Sequence, residues 1–587
     1  MQVYQKRVSE FREEETRYAR QLSFTSVVRL LLFLLFAWFI YSAFKVRFQG
    51  YDLLFALICI TVFLVIVFIS ATINKKIKFI RQLILINENE IDIAKGIPSV
   101  LDNGSSFSPS KGFAVDLNVF GKHSLFHLLN RTGSRSGKKE LSRRLASPFT
   151  NGNNIHNYQE CVKELSGRIE FRQDLLAHTL LFKEEETLDQ LQAALPEGSF
   201  DKLQSKFWKT VSIAWPVLGI FVIIFCVWKD NYASLLAFII LGFMVLAIVL
   251  KPINLLYLHI SKRSYLYSQY ARCFQLISEE KFEHLYLQKK QEEIIHASRA
   301  FKKLSSLIGV FDLRLSLLSF FSNGIFLVDL FCALSYLKWN RQYQPQIKNW
   351  FDNLGEIELL NSVASFQYNH PSFIFPQAVT EKLLIEATGM GHPLMKKEKA
   401  VVNDVAIGEG SKLHLITGSN MSGKSTFLRT LGLNMVLAQI GAPVFAQTFV
   451  FRPLRLLTSF HHIDSLEDST SYFYAELKCL QEIVVSLKDP QPALVLLDEV
   501  MRGTNSKDKH DGTALLIKKI LGYNCLTLIA THDTELGILS EDHPGVVDNF
   551  CFESELKNNE LSFDFMMRKG VAQSKNATFL MQKMGIV

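Results

Sequence analysis

The stretch that decides the fold is Leu413-His414-Leu415-Ile416-Thr417-Gly418-Ser419-Asn420-Met421-Ser422-Gly423-Lys424-Ser425-Thr426. The apolar run Leu413–Thr417 reads as a strand, and the residues from Thr426 onward read as a helix. Between them stands G-x-x-x-x-G-K-S, the phosphate-binding loop in its strand–loop–helix setting. Gly418 and Gly423 let the backbone curl so that its N–H groups face phosphate oxygens, and the helix N-terminus favours negative charge there. This spacing predicts that residues Gly418 to Thr426 bind a nucleotide. Lys424 would reach the β- and γ-phosphates and Ser425 would hold Mg²⁺.

Two further strand ends belong with that loop. Leu494-Val495-Leu496-Leu497-Asp498-Glu499 is an apolar run closed by two acids, the pattern of a central parallel strand. Asp498 is expected to bind Mg²⁺, and Glu499 to orient or deprotonate the attacking water. Leu526-Thr527-Leu528-Ile529-Ala530-Thr531-His532 ends in a histidine. His532 is either an ordinary surface residue or a group that contacts a γ-phosphate, and the first two motifs favour the second reading. The predicted catalytic set is therefore Lys424, Glu499 and His532.

With these motifs in place the C-terminal third resembles the ATPase domain of the MutS family. Gly418–Thr426 is similar to that family's phosphate loop, with Ser419 and Ser422 where the family mostly has Pro and Gly. Asp498-Glu499 followed by Arg502-Gly503-Thr504, and Ala530-Thr531-His532 with Glu535-Leu536, resemble its next two segments. Ser471-Tyr472-Phe473-Tyr474-Ala475-Glu476-Leu477 resembles the stretch that reaches across a dimer to the partner's nucleotide. The resemblance implies that Ser471 contacts that γ-phosphate; the alternative is a plain helix N-cap. Residues Asn505–His510 read as a lengthened loop. More weakly, Gly121–Leu145, Phe326–Trp339, Trp350–Ser362 and Gly391-His392-Pro393-Leu394 are similar to the family's helical core and the entry to its ATPase. The resemblance implies ATP and Mg²⁺ as cofactors, a homodimer, and DNA as a partner. Phe11-Arg12-Glu13 matches the family's mismatch wedge by letter only, and no room for the wedge domain is expected ahead of the core.

The remainder of the 587 residues is unusually apolar, with 48% hydrophobic and 12% aromatic residues and a net charge of +8. Mean hydropathy is +0.14. Runs at Val27–Phe44, Leu53–Ile73, Val211–Trp228 and Ala233–Leu250 are each close to the roughly 20 residues a helix needs to cross a bilayer. They come as two close pairs with Lys and Arg on their outer flanks, so the positive-inside rule places the large segments in the cytoplasm. Leu315–Leu337 contains Asp329 and reads instead as a buried soluble helix. The eight cysteines show no CxxC spacing and read as reduced thiols.

The expected fold class is an α/β P-loop NTPase domain, an all-α helical core and two transmembrane hairpins. The expected divisions are 1–26 (N-terminal helix), 27–75 (hairpin 1), 76–111 (linker), 112–210 (core), 211–250 (hairpin 2), 251–379 (core and lever) and 380–587 (ATPase). Taken together, these features describe a multi-pass protein of the cytoplasmic membrane, with the lipid bilayer as a partner and the ATPase domain in the cytoplasm. A transport ATPase is the competing reading, but no LSGGQ-like run precedes Asp498; an ATP-switched scaffold is a third. For DNA, the candidate phosphate contacts are Arg131, Arg135, Lys138, Lys139, Arg143 and Arg144.

Overall fold

In the computed structural model the residues described are 1–45, 50–182, 198, 200–261, 263–315, 318–408, 410–460, 472–502, 504–557 and 560–573. Among these, every regular element up to Asn369 is a helix, and strands begin at Gln377. The switch follows the sequence: long runs with three- and four-residue apolar spacing give way to short β-branched runs.

The first two apolar runs lie in helices Gln2–Lys45 and Gly50–Lys95. At 1.5 Å per residue each is about 65 Å long, roughly twice the hydrocarbon thickness of a bilayer. The excess forms a charged antiparallel stalk, tied by Arg12 to Glu88 at 2.5 Å and Arg81 to Glu15 at 2.6 Å. Phe11 packs inside this stalk beside Leu83 and Ile86, so Phe11-Arg12-Glu13 is not presented as a wedge. The other two runs lie in helices Lys206–Lys229 and Tyr232–Ser261. All four helices are long and apolar enough to cross a membrane. They expose large apolar side chains, among them Phe68 at 75% and Ile248 at 72%.

The segment expected as one helix over Leu315–Leu337 is broken. Helices Leu318–Phe326 and Val328–Asn369 meet at 75° about Leu327, which has φ +49°. The shorter piece is wedged against the second hairpin through glycines: a Cβ on Gly242 would fall 2.2 Å from the Gly324 carbonyl oxygen. Such small-residue contacts let helix backbones approach closely. Asp329, just past the break, is compensated by Arg314 at 3.2 Å, and its N–H donates to Asn323 Oδ1 at 2.8 Å. Two other helical runs are also interrupted: Gly152–Ser166 is followed after a short break by Ile169–Leu180, and Ser264–Glu279 by Leu285–Asp312. The breaks support each other, because Glu164 accepts from the N–H groups of Glu283 and His284 while Arg168 pairs with Glu280.

The 42-residue helix Val328–Asn369 runs from the second hairpin to the start of the sheets. It packs tightly on helix Arg135–Ala146, where a Cβ on Gly355 would lie 2.7 Å from the Ser136 carbonyl oxygen. Its buried Glu358 accepts from the N–H groups of Gly133 and Ser134. This region corrects the reading of the basic cluster. Arg131 is buried and paired with Glu90, Lys138 pairs with Asp102, Arg143 and Arg144 both reach Glu140, and Arg144 stacks over Phe149 at 3.6 Å. Arg131, Lys138 and Arg144 are thereby committed to the core, whereas Arg143 stays 55% exposed and meets Glu140 on its own helix.

The C-terminal part has two sheets. The first runs in the order β1 (Gln377–Ala378), β5 (Thr448–Phe451), β2 (Ile385–Met390), β3 (Asn403–Ile407), and the second has six strands with β10 (Glu560–Lys569) at one edge. In the second, β4 (Leu413–Gly418), β8 (Cys525–Thr531), β7 (Ala493–Asp498) and β6 (Arg455–Ser459) are mutually parallel, and β4 also pairs in parallel with β9 (Val547–Lys557). Every residue of β4, β7 and β8 is buried, as expected for central parallel strands.

Candidate nucleotide site

Parallel register brings the three motif-bearing strand ends to one edge of the sheet. Thr417 on β4 is opposite Thr531 on β8, and Ala530 on β8 is opposite Asp498 on β7. The residues just past those ends are the loop from Gly418, then His532 and Glu499. Ligands in open α/β sheets bind outside such carboxyl ends.

The loop leads into helix Lys424–Gln439, two residues earlier than the sequence suggested. Two glycines are required by its shape. Gly418 has φ +157°, and a Cβ there would fall 2.8 Å from the Phe552 carbonyl oxygen. Gly423 has φ +107°, and a Cβ there would meet the Phe565 ring at 3.1 Å. Met421 takes φ +68° without being glycine and is almost fully exposed. Lys424 is buried and folds back over the loop, where its Nζ donates to the carbonyl oxygens of Gly418 at 2.8 Å and Ser419 at 2.9 Å. Burial lowers its pKa to about 8, and the nearby charges of Glu499 and Asp498 oppose the fall.

Glu499 follows β7 in a left-handed conformation, φ +51°, with its N–H donating to the Ala530 carbonyl oxygen at 2.9 Å. That turn aims its carboxylate at His532 Nε2 and the Arg502 guanidinium. Burial pushes Glu499 up, but the hydrogen bond from His532 and the charges of His532, Arg502 and Lys424 outweigh it and hold the pKa at about 2. The other nitrogen of His532, Nδ1, is 2.9 Å from the Gly418 carbonyl oxygen. The imidazole therefore bridges the phosphate loop to Glu499, and its Nδ1 also lies 3.4 Å from the Lys424 ammonium.

Asp498 differs from every other acid here. It is buried, and neither carboxylate oxygen has a hydrogen-bond partner among the described residues. A buried carboxylate left so would be costly unless a cation completes it. Ser425, in the first turn of the helix, is the hydroxyl that the sequence pairs with it. Ser422 Oγ in the loop is likewise buried without a partner, and Ser419, Asn420 and Thr426 lie on the same short segment.

Ser471 lies outside the described residues. Glu476, five residues on, is informative. It is buried on helix Tyr472–Ser486, and its carboxylate accepts from the N–H groups of Met501 at 2.5 Å and Arg502 at 3.2 Å. It thereby fixes the turn that carries Glu499. The sequence pattern alone assigns Glu476 no role; a lone acid on an otherwise apolar helix face was the available signal. Arg502, three residues after Glu499, likewise gives no hint of its ion pair. The expected long loop Asn505–His510 is instead the start of helix Ser506–Ile520, whose Asn505 side chain caps the N–H of Asp508 at 2.8 Å.

Residues 414–584 match the family model for MutS domain V. Over that stretch the chain is similar to the MutS family. Human MutS protein homolog 4 is 33% identical over 195 residues, which is 32% of this chain and 20% of that protein. The DNA mismatch repair protein MutS of Thermotoga petrophila is 31% identical over 224 residues, 38% of this chain and 28% of that protein. The mouse MutS protein homolog 4 is 34% identical over 195 residues. The matched stretch spans between 20% and 28% of these relatives' length. The MutS domain V match contains the loop, both acids and His532, the same residues that converge at the sheet edge.

Proposed function

We propose that this protein is a membrane-anchored ATPase that binds ATP at the Gly418–Thr426 loop and hydrolyses it with Glu499. The single observation that carries the reading is the convergence of Lys424, Asp498, Glu499 and His532 at one sheet edge within a MutS domain V. In this reading the loop amides and Lys424 hold the β- and γ-phosphates. Asp498 and Ser425 would hold Mg²⁺, which supplies charge neutralisation to the phosphates. Glu499 takes a proton from water, and His532 orients Glu499 against the γ-phosphate. A carboxylate held at about 2 is ionised but a weak proton acceptor. The phosphates therefore do more than react: by drawing Arg502 and His532 toward themselves they free Glu499 to act.

The lowered pKa of Lys424 sets a pH dependence. ATP binds the protonated amine, so binding raises the lysine pKa above its resting value of about 8. Affinity should be flat just below pH 8 and weaken progressively as pH rises past it. The γ-phosphate, with a second pKa of about 6, is already ionised throughout that window. Lys424→Arg, which stays charged, should flatten the curve. Equilibrium binding of a fluorescent ATP analogue between pH 7 and 9.5 measures this; an unchanged affinity across that range contradicts it.

The four long apolar helices support the membrane anchor, with both termini in the cytoplasm. Asn231→Cys, between the second pair, should be labelled in intact cells by an impermeant thiol reagent. Ser106→Cys should be labelled only after permeabilisation. The reverse pattern would invert the topology.

A homodimer with composite sites follows from the resemblance of Ser471–Leu477 to the cross-dimer stretch. DNA is the partner that the relatives' names point to. With Phe11 packed in the stalk, binding is expected to ignore a single mismatch and to depend on phosphate contacts, falling by several orders of magnitude between 50 and 200 mM salt if 6–10 phosphates are engaged. Titration of matched and mismatched duplexes at two salt concentrations decides it. A preference for the mismatch of about tenfold, roughly 1.4 kcal/mol, would show a reading element elsewhere in the chain.

A further inference from the structure

The ends of the two hairpins converge on a pocket of about 230 Å³. Lys75 and Lys78 reach it from the Gly50–Lys95 helix, His178 from the Ile169–Leu180 helix, and Gln269 and Arg272 from the Ser264–Glu279 helix that follows the second hairpin. Lys75 comes two residues after the apolar run Leu53–Ile73, so the pocket lies where a bilayer's hydrocarbon would end.

Among the described residues the charge of this pocket is uncompensated. Along the same helix Arg81 pairs with Glu15 at 2.6 Å, and Lys76 donates to the Tyr18 hydroxyl at 3.3 Å. Lys75, Lys78 and Arg272 have no carboxylate within ion-pair distance among the described residues. Two polar atoms in the pocket's wall are buried without partners: Oε1 of Gln269, a residue only 8% exposed, and Nδ1 of His178. Turning the Gln269 amide presents its NH₂ in place of that oxygen. His178 stacks on Phe79 at 4.4 Å, and burial together with nearby Arg272 lowers its pKa to about 4. It therefore offers a neutral N–H donor and adds no competing charge. The volume is below the roughly 300–1,000 Å³ of sites for drug-sized molecules. It suits one phosphate with its glycerol, leaving acyl chains outside.

We propose that this pocket binds the phosphate headgroup of an anionic phospholipid, through Lys75, Lys78 and Arg272 with Gln269 and His178 as hydrogen-bond donors. The inference rests on the membrane reading above. The lipid would clamp the first hairpin, the helical core and the exit of the second hairpin together at the bilayer border.

The test uses the full chain purified in neutral detergent and titrated with phosphatidylglycerol or phosphatidylcholine, with bound lipid counted by native mass spectrometry. Phosphatidylglycerol should be retained in clear preference. Lys78→Gln with Arg272→Gln should weaken its retention on the order of tenfold, while the melting temperature without lipid stays near that of the parent. Lys209→Gln, a cation at the border of the second hairpin but outside the pocket, should retain lipid as the parent does. An equal loss in Lys209→Gln, or equal retention of the two lipids, overturns the pocket. Displacement of lipid by millimolar inorganic phosphate would assign the pocket to a soluble phosphate compound and overturn the lipid. Flotation with vesicles is run in parallel. A chain that fails to float sinks the membrane reading itself, whereas one that floats without lipid preference sinks the pocket alone.

Discussion

Lys424→Ala is expected to abolish ATP binding at ordinary nucleotide concentrations and to reduce hydrolysis by at least about 100-fold. Lys424 is buried, and its Nζ is the cation closest to the loop carbonyls, held by two hydrogen bonds across the curl that would receive the phosphates. Alanine removes the charge and also empties part of the loop's packing, so loss of activity alone could reflect a collapsed loop. Lys424→Met keeps most of the side-chain volume without the charge. The two variants should fail alike in nucleotide binding, measured by fluorescence of a bound analogue, while the methionine variant melts close to the parent. Turnover near the parent's in Lys424→Met would overturn the phosphate-loop reading.

Glu499→Gln has the second large expected effect and separates binding from chemistry. The amide keeps the size of the side chain and can still meet Arg502 or His532, but it cannot take a proton from water. Hydrolysis should fall by about 10²- to 10⁴-fold, while ATP affinity changes little because Lys424 and the loop amides remain. If two heads close around ATP, this variant should accumulate as an ATP-bound dimer, visible by cross-linking or light scattering. An equal amount of dimer with and without ATP would contradict the composite site.

How much of this was legible in the sequence depends on how local each determinant is. The phosphate loop was readable because strand, glycines, lysine and helix are consecutive, and Asp498 and His532 because each closes an uninterrupted apolar strand. The break at Leu327 was not readable: a leucine at φ +49° carries no glycine or proline signal, and the bend is imposed by packing of Gly324 against Gly242 and Ile239. The basic cluster misled for the same reason. Six cations close in sequence look like an anion-binding face, yet the acid that neutralises Arg131 is Glu90, on the stalk, and the one opposite Lys138 is Asp102. The partner of the Glu499 turn, Glu476, sits 25 residues upstream of Met501 in a segment whose own role pointed elsewhere. The start of helix Ser506–Ile520 was available locally, since Asn505 followed three residues later by Asp508 is a capping signal.

The most direct measurement is phosphate release from ATP by the purified full chain, with magnesium and with a chelator in its place, for the parent and for Glu499→Gln and Asp498→Ala. The expected result is steady release by the parent that requires magnesium, with both variants losing it. Glu499→Gln should still bind ATP, and Asp498→Ala should bind it without responding to magnesium. Release that proceeds equally in the parent and both variants would contradict the assignment of this sheet edge as the site of hydrolysis.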